Sequence, residues 1–212
     1  MDVRTLLAEY ADQPISTQIL LTILKDYTRP YDKIMELVSQ GYLIQLRKGL
    51  YMTTTLINVY RPEPFLLANH LYGPSYVSID SALYHWGFIP ERVFEIASVT
   101  SKLSKRFTVE KTVFSFTHLP LAYYPVGIKS VRLTDKQTVL IASPEKGICD
   151  KVVTTAGVNL RSKKQAMTFL VEELRIDKDY LRELKVREIV KWLPVCPKRN
   201  SIKNLIEAIA EL

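Results

Sequence analysis

The sequence has 212 residues, 47% of them hydrophobic, with 29 Lys and Arg against 22 Asp and Glu for a net charge of +7. That length suits one large domain or two small ones, and the charge leans toward a polyanionic partner. No apolar run approaches the ~18–20 residues that span a bilayer, the start Met1-Asp2-Val3-Arg4 has no basic lead-in of a signal peptide, and the two cysteines, Cys149 and Cys196, allow at most one disulfide, so a reduced, cytoplasmic protein without membrane attachment is expected.

Val3, Leu6, Leu7 and Tyr10 recur at helical spacing and predict a first short helix. Ser16 is placed to cap a second, with Ile15 and Leu20 as its hydrophobic staple and Ile19, Leu20, Ile23 and Leu24 as its inward face. After a break over Lys25 to Thr28, Thr28 is the expected cap of a third helix. Pro30 suits its first turn, Ile34, Leu37 and Val38 form its inner stripe, and Gly41 suits the position just past its end. Leu43 to Leu46 and Leu50 to Thr53 read as two strands joined by Arg47-Lys48-Gly49, with Gly49 free to adopt positive φ. Three helices followed by a two-stranded ribbon describe a winged helix-turn-helix over residues 1–58. A basic ribbon tip would meet phosphates or the minor groove.

Residues 1–58 hold six Lys and Arg and six Asp and Glu, so this segment has no charge surplus. On the third helix Asp32 and Glu36 face outward beside Arg29, with Lys33 at the edge. Those acids would repel phosphates, although a carboxylate can accept from cytosine N4. The same shape also serves as a protein-interaction module, and that reading stays open.

The stretch 60–65, Tyr-Arg-Pro-Glu-Pro-Phe, reads as a linker, and 62–212 as a second, α+β domain. Short helices are expected over Pro64 to Leu71 and over Ser78 to Tyr84, the latter capped by Ser78 and ended by Gly87. Strands are expected over Val93–Val99, Phe107–Val109, Val113–Phe116, Gly127–Leu133 and Thr138–Ala142, forming a small, mainly antiparallel sheet. Ser143-Pro144-Glu145 opens a helix, and three more follow, marked by Ala166, Phe169 and Leu170, by Val186 to Leu193 before Pro194, and by Ile202 to Ile209 capped by Ser201. The surplus charge lies in this part: residues 98–136 carry seven Lys and Arg against Glu110 and Asp135. Polyanion contact and plain solvation both account for it.

Catalytic chemistry is sparsely represented. His70, His85 and His118 are unpaired at helical or metal-site spacings, no Gly-rich phosphate loop is present, and no catalytic, metal or cofactor residues are assigned. Cys149 sits among Ile148, Val152 and Val153 and reads as a buried structural thiol. A nuclease would need clustered carboxylates, for which only Asp80 and Glu95 are loose candidates. A nucleic-acid-processing enzyme is therefore a weaker alternative.

Three segments share a resemblance. YVSIDSALYHWGFIPE (76–91), SPEKGICD (143–150) and the ribbon GYLIQLRKGLYM resemble, in order and spacing, segments of the AbiEi-type antitoxins. Gly147 departs from the small alanine usual there, and beyond residue 160 the likeness is only helical. The resemblance implies an N-terminal winged helix-turn-helix that binds the protein's own operator and represses its operon. It also implies a C-terminal domain that counters a nucleotidyltransferase-like toxin in a type IV system, without a stable complex being required. On the matching positions the DNA contacts fall on Thr28, Arg29, Tyr31 and Lys33 of the third helix and on Arg47 and Lys48 of the wing.

Overall fold

A computed structural model describes residues 2–90 and 94–212. Val93, the first residue of an expected strand, and Glu91, the last of the 76–91 segment, lie outside the described residues. The fold is α+β, with ten α-helices and two sheets among the described residues. The chain divides into two compact units, Met1–Gly73 with Arg132–Val139, and Pro74–Val131 with Leu140–Leu212. None of the described helices is long and apolar enough to cross a membrane.

The first unit contains α1 (Val3–Ala8), β1 (Ile15–Ser16), α2 (Thr17–Ile23), α3 (Pro30–Ser39), β2 (Leu43–Arg47), β3 (Leu50–Thr53) and α4 (Pro64–Leu71). The Ser16 hydroxyl accepts from the Ile19 amide, giving α2 its cap, and Ile15 and Leu20 are both fully buried as a staple requires. One core joins the elements: Val3 and Leu7 of α1, Leu20 and Leu24 of the second helix and its end, Ile34 and Leu37 of α3, and Leu43 and Tyr51 of the strands. The sheet is small and antiparallel, with order β1-β3-β2. Gly41 (φ +76°) and Gly49 (φ +82°) take the left-handed conformations that the end of α3 and the ribbon turn demand.

The expected cap at Thr28 is a correction. Arg29, at φ −130° and ψ 74°, is the residue that precedes α3, and no side chain caps that helix. Thr28 lies one residue too early to reach the orphan amides. Pro30 at the first position removes one of those donors instead.

The second unit has a six-stranded sheet of order β6-β7-β5-β4-β9-β8, built from β4 (Ser75–Val77), β5 (Glu95–Thr100), β6 (Lys105–Val109), β7 (Thr112–His118), β8 (Ile128–Arg132) and β9 (Thr138–Ala142). It is mixed rather than mainly antiparallel: β4–β5 and β6–β7 run antiparallel, while β5–β7 and β4–β9 run parallel. The sheet is mixed because β7 pairs with β5 in parallel while β6 takes the edge, and because the three-residue β4, too short to register as a pattern in the sequence, inserts between β5 and β9. The helices are α5 (Ile79–His85), α6 (Pro144–Thr154), α7 (Lys163–Thr168) running on into a π-turn over Phe169–Glu173, α8 (Lys178–Arg182), α9 (Val186–Trp192) and α10 (Arg199–Ile209).

Two further caps differ from expectation. Ser78 stands at the start of α5 but makes no capping bond, because its hydroxyl donates to the Asp150 carboxylate at 2.7 Å. Ser201 is inside α10, where its hydroxyl accepts from the Leu160 amide at 3.0 Å. Lys198, left-handed at φ +50°, precedes that helix instead. Helix α8 was not expected at all; its five residues are started by Asp177, whose carboxylate accepts from the Asp179 amide.

Candidate nucleic-acid interface

The six residues singled out as DNA contacts occupy two places in the first unit. Arg29, Tyr31 and Lys33 lie at the start of α3, with Thr28 exposed just before it. Arg47 and Lys48 lie at the β2–β3 turn, and both are exposed.

The cations of α3 are engaged by acids of the same helix. The Arg29 guanidinium is 3.8 Å from the Asp32 carboxylate, and the Lys33 ammonium donates to Glu36 at 2.7 Å. Both pairs span three residues, which places them one turn apart on the same helix surface. Lys33 also lies 5.6 Å from the centre of the Tyr27 ring. Its bond to Glu36 raises the lysine above its ordinary pKa and lowers the carboxylate. Glu36 is the hub of this surface, since it also accepts from the Gln40 side-chain amide at 3.0 Å, and its carbonyl accepts from the Ser39 hydroxyl at 2.8 Å.

The turn is different. The Arg47 guanidinium donates to two backbone carbonyls, those of Lys48 at 3.1 Å and His70 at 3.4 Å. A carbonyl orients a guanidinium without neutralising it, so the positive charge stays available to an anion. Neither Arg47 nor Lys48 is ion-paired to a carboxylate among the described residues. A bulge between Gln45 and Arg47 twists the strand just before this tip. At the other side of the turn, the Thr17 amide donates to the Gly49 carbonyl at 3.1 Å, which ties the ribbon to the start of α2.

Met35 was not singled out from the sequence, yet it is exposed on α3 one turn beyond Tyr31. Its spacing from Tyr31 was the available signal.

A second cluster, in the other unit, was also missed. Lys146 and Asp150, one turn apart on α6, are both fully buried and ion-paired at 3.0 Å. The other Asp150 oxygen accepts from the Tyr76 and Ser78 hydroxyls at 2.9 and 2.7 Å. The Lys146 ammonium donates to the Tyr123 carbonyl at 3.1 Å and lies over the Tyr123 ring. Tyr76 and Ser78 come from the YVS segment, and Lys146 and Asp150 from SPEKGICD, so two segments far apart in the chain meet in one polar network. With no solvent access, that network holds elements together and presents no reactive surface.

The remaining chemical candidates are engaged structurally. Asp80 pairs with Lys151 at 2.7 Å and Glu95 with Arg106. Cys149 and Cys196 are buried free thiols. Burial raises both, Cys196 up to about 11. Among the described residues no group of three or more His, Cys, Asp or Glu side chains is placed to hold a metal. No protein-family model matches this sequence, and no curated protein matches it.

Proposed function

We propose that the first unit is a winged helix-turn-helix that binds duplex DNA. On this reading the protein is a non-enzymatic transcriptional repressor of its own operon. It acts in the cytoplasm as the antitoxin of an AbiE-like, type IV pair. The observation that carries the DNA reading is the ribbon. Two antiparallel strands follow directly on a capped α2 and a Pro-started α3, and they end in Arg47 and Lys48, exposed and free of carboxylate partners among the described residues. In this arrangement α3 enters the major groove, and the turn grips phosphates or the minor groove beside it.

The antitoxin half rests on the resemblance of the 41–52, 76–91 and 143–150 regions to AbiEi-type proteins. Its partner is a nucleotidyltransferase-like toxin, countered without a lasting complex. The surplus charge of the second unit adds sequence-independent attraction to nucleic acid.

A mobility-shift assay with the full chain and the DNA upstream of its own gene tests the DNA reading. A band competed by that DNA and not by unrelated duplex supports it. Absence of binding at low salt overturns it. Growth rescue on co-expression with a neighbouring nucleotidyltransferase-like gene tests the antitoxin half separately.

One observation favours a second reading. The pairing of Arg29 with Asp32 and Lys33 with Glu36 leaves α3 without free cations, as a protein-docking helix would have it. That module would retard no DNA in the same assay.

A further inference from the structure

Several polar side chains along the outer surface of α3 gather on Glu36. Lys33 and Gln40 bond to Glu36 and the Ser39 hydroxyl to the Glu36 carbonyl, while Arg29 lies 3.8 Å from Asp32 with both groups exposed. These are the side-chain types that read base edges by hydrogen bonding. Tyr31 and Met35 stand apart from them. They are 62% and 56% exposed, and their spacing of four residues puts them side by side on one flank of the helix. A helix whose Lys33, Ser39 and Gln40 already bond to Glu36, and whose exposed flank carries the Tyr31 ring and the Met35 thioether, offers an apolar contact surface beside its polar one.

The major groove offers one apolar group among the four bases, the 5-methyl of thymine. We propose that Tyr31 and Met35 are the specificity-determining residues of this protein and that they read thymine methyl groups. The inference rests on the DNA reading of the first unit. Arg47 and Lys48 supply the charge complementarity that seats the duplex, and the Lys33 ammonium, 2.7 Å away, offsets the charge of Glu36. Charge and sequence reading are thus divided between the ribbon and the helix.

The test is selection of bound duplexes from a random-sequence library with the full-length protein, followed by resynthesis of an enriched duplex with each thymine replaced in turn by uracil, which lacks only the methyl. The expected result is a weakening of about fourfold at one or two positions, the value of one buried methyl. In Met35→Ala or Tyr31→Ala protein that uracil penalty disappears at the position each residue reads, while the thermal melt stays at the wild-type value because both side chains are exposed. Enrichment with no uracil penalty, or a penalty that persists in both variants, overturns the inference and leaves DNA binding standing. A library from which nothing is enriched and nothing is retained at low salt overturns the DNA reading itself, and the inference with it.

Discussion

The Lys146 ammonium sits 3.0 Å from an Asp150 carboxylate oxygen, and neither side chain is exposed to solvent at all. Two charges so deep are tolerated only as a pair with further polar support. Tyr76 and Ser78 donate to one carboxylate oxygen, the other faces the Lys146 charge, and the Tyr123 carbonyl and ring receive the ammonium. Lys146→Met leaves a buried, unpaired carboxylate and is expected to cost about 3–5 kcal/mol. Urea unfolding measures this; a loss under ~0.5 kcal/mol would show that the pair does not hold the unit together.

The same cluster makes an alkaline prediction. Burial is the first cause raising Tyr76 and Tyr123 far above the ordinary phenol value, with Asp150 adding to it, and burial raises Tyr124 as well. A group with a raised folded pKa holds its proton longer in the native state. Its contribution to stability is complete below about pH 10 and is lost as pH climbs past it. Lys146 acts oppositely: desolvation lowers it, so rising pH relieves the folded state in the window just below about 10.4. The three phenols dominate beyond that window. Absorbance at phenolate wavelengths should therefore show two tyrosines, Tyr76 and Tyr123, that ionise only as the protein unfolds, and Tyr124 ionising later than an exposed phenol. Reversible titration of all twelve tyrosines in the native state would refute the assignment.

Lys198 gives a prediction that separates charge from backbone strain. Its ammonium donates to the carbonyls of Val152, Thr155 and Val158 at 2.8, 2.7 and 2.9 Å, which joins the end of α6 to the start of α10. Its backbone is left-handed, where an L residue costs roughly 1–2 kcal/mol and glycine does not. Lys198→Ala loses the three bonds and keeps the strain, whereas Lys198→Gly loses the bonds and relieves it. Both variants should melt below wild type, with the glycine variant about 1 kcal/mol more stable than the alanine one. An alanine variant equal to wild type would mean the ammonium contributes nothing.

At the ribbon, replacing Arg47 and Lys48 together with alanine should weaken duplex binding without changing the melting temperature. Each phosphate contact removed should flatten the plot of log affinity against log salt by about 0.9. An unchanged slope would take the ribbon out of the interface.

The thiols supply a control on the second unit. Cys149 has no exposure, and burial holds both thiols in their unreactive protonated form. Alkylation by a thiol reagent at neutral pH should require unfolding, with both sites reacting at the rate of global opening. Fast labelling of Cys149 in the native protein would contradict its placement in the core of α6.

Local chemistry was legible in the sequence. Ser16 with its staple, Pro30 at the head of α3, Gly41 past its end and Gly49 in the ribbon turn each act over a few residues, and all stand where the residues alone place them. Strand β9 and helix α4 were legible for the same reason, through short uninterrupted patterns. The rest depends on partners remote in the chain. Ser78 looks like a cap until Asp150, 72 positions later, takes its hydroxyl, and Ser201 until the Leu160 amide does. Within the candidate interface, by contrast, Asp32 and Glu36 stand three residues from Arg29 and Lys33, and only the choice of rotamers on an exposed helix surface was left open.

Helix ends, tight turns and the apolar stripes of the first unit were determined by the sequence itself, because backbone sterics and capping bonds are settled within one or two turns of chain. Which strands become neighbours, and where the buried Lys146–Asp150 pair finds Tyr76, Ser78 and Tyr123, were decided only in the tertiary structure. Those outcomes turn on the burial of polar groups, and a polar group's need for a partner can be met by any residue that packing brings within 3 Å or so.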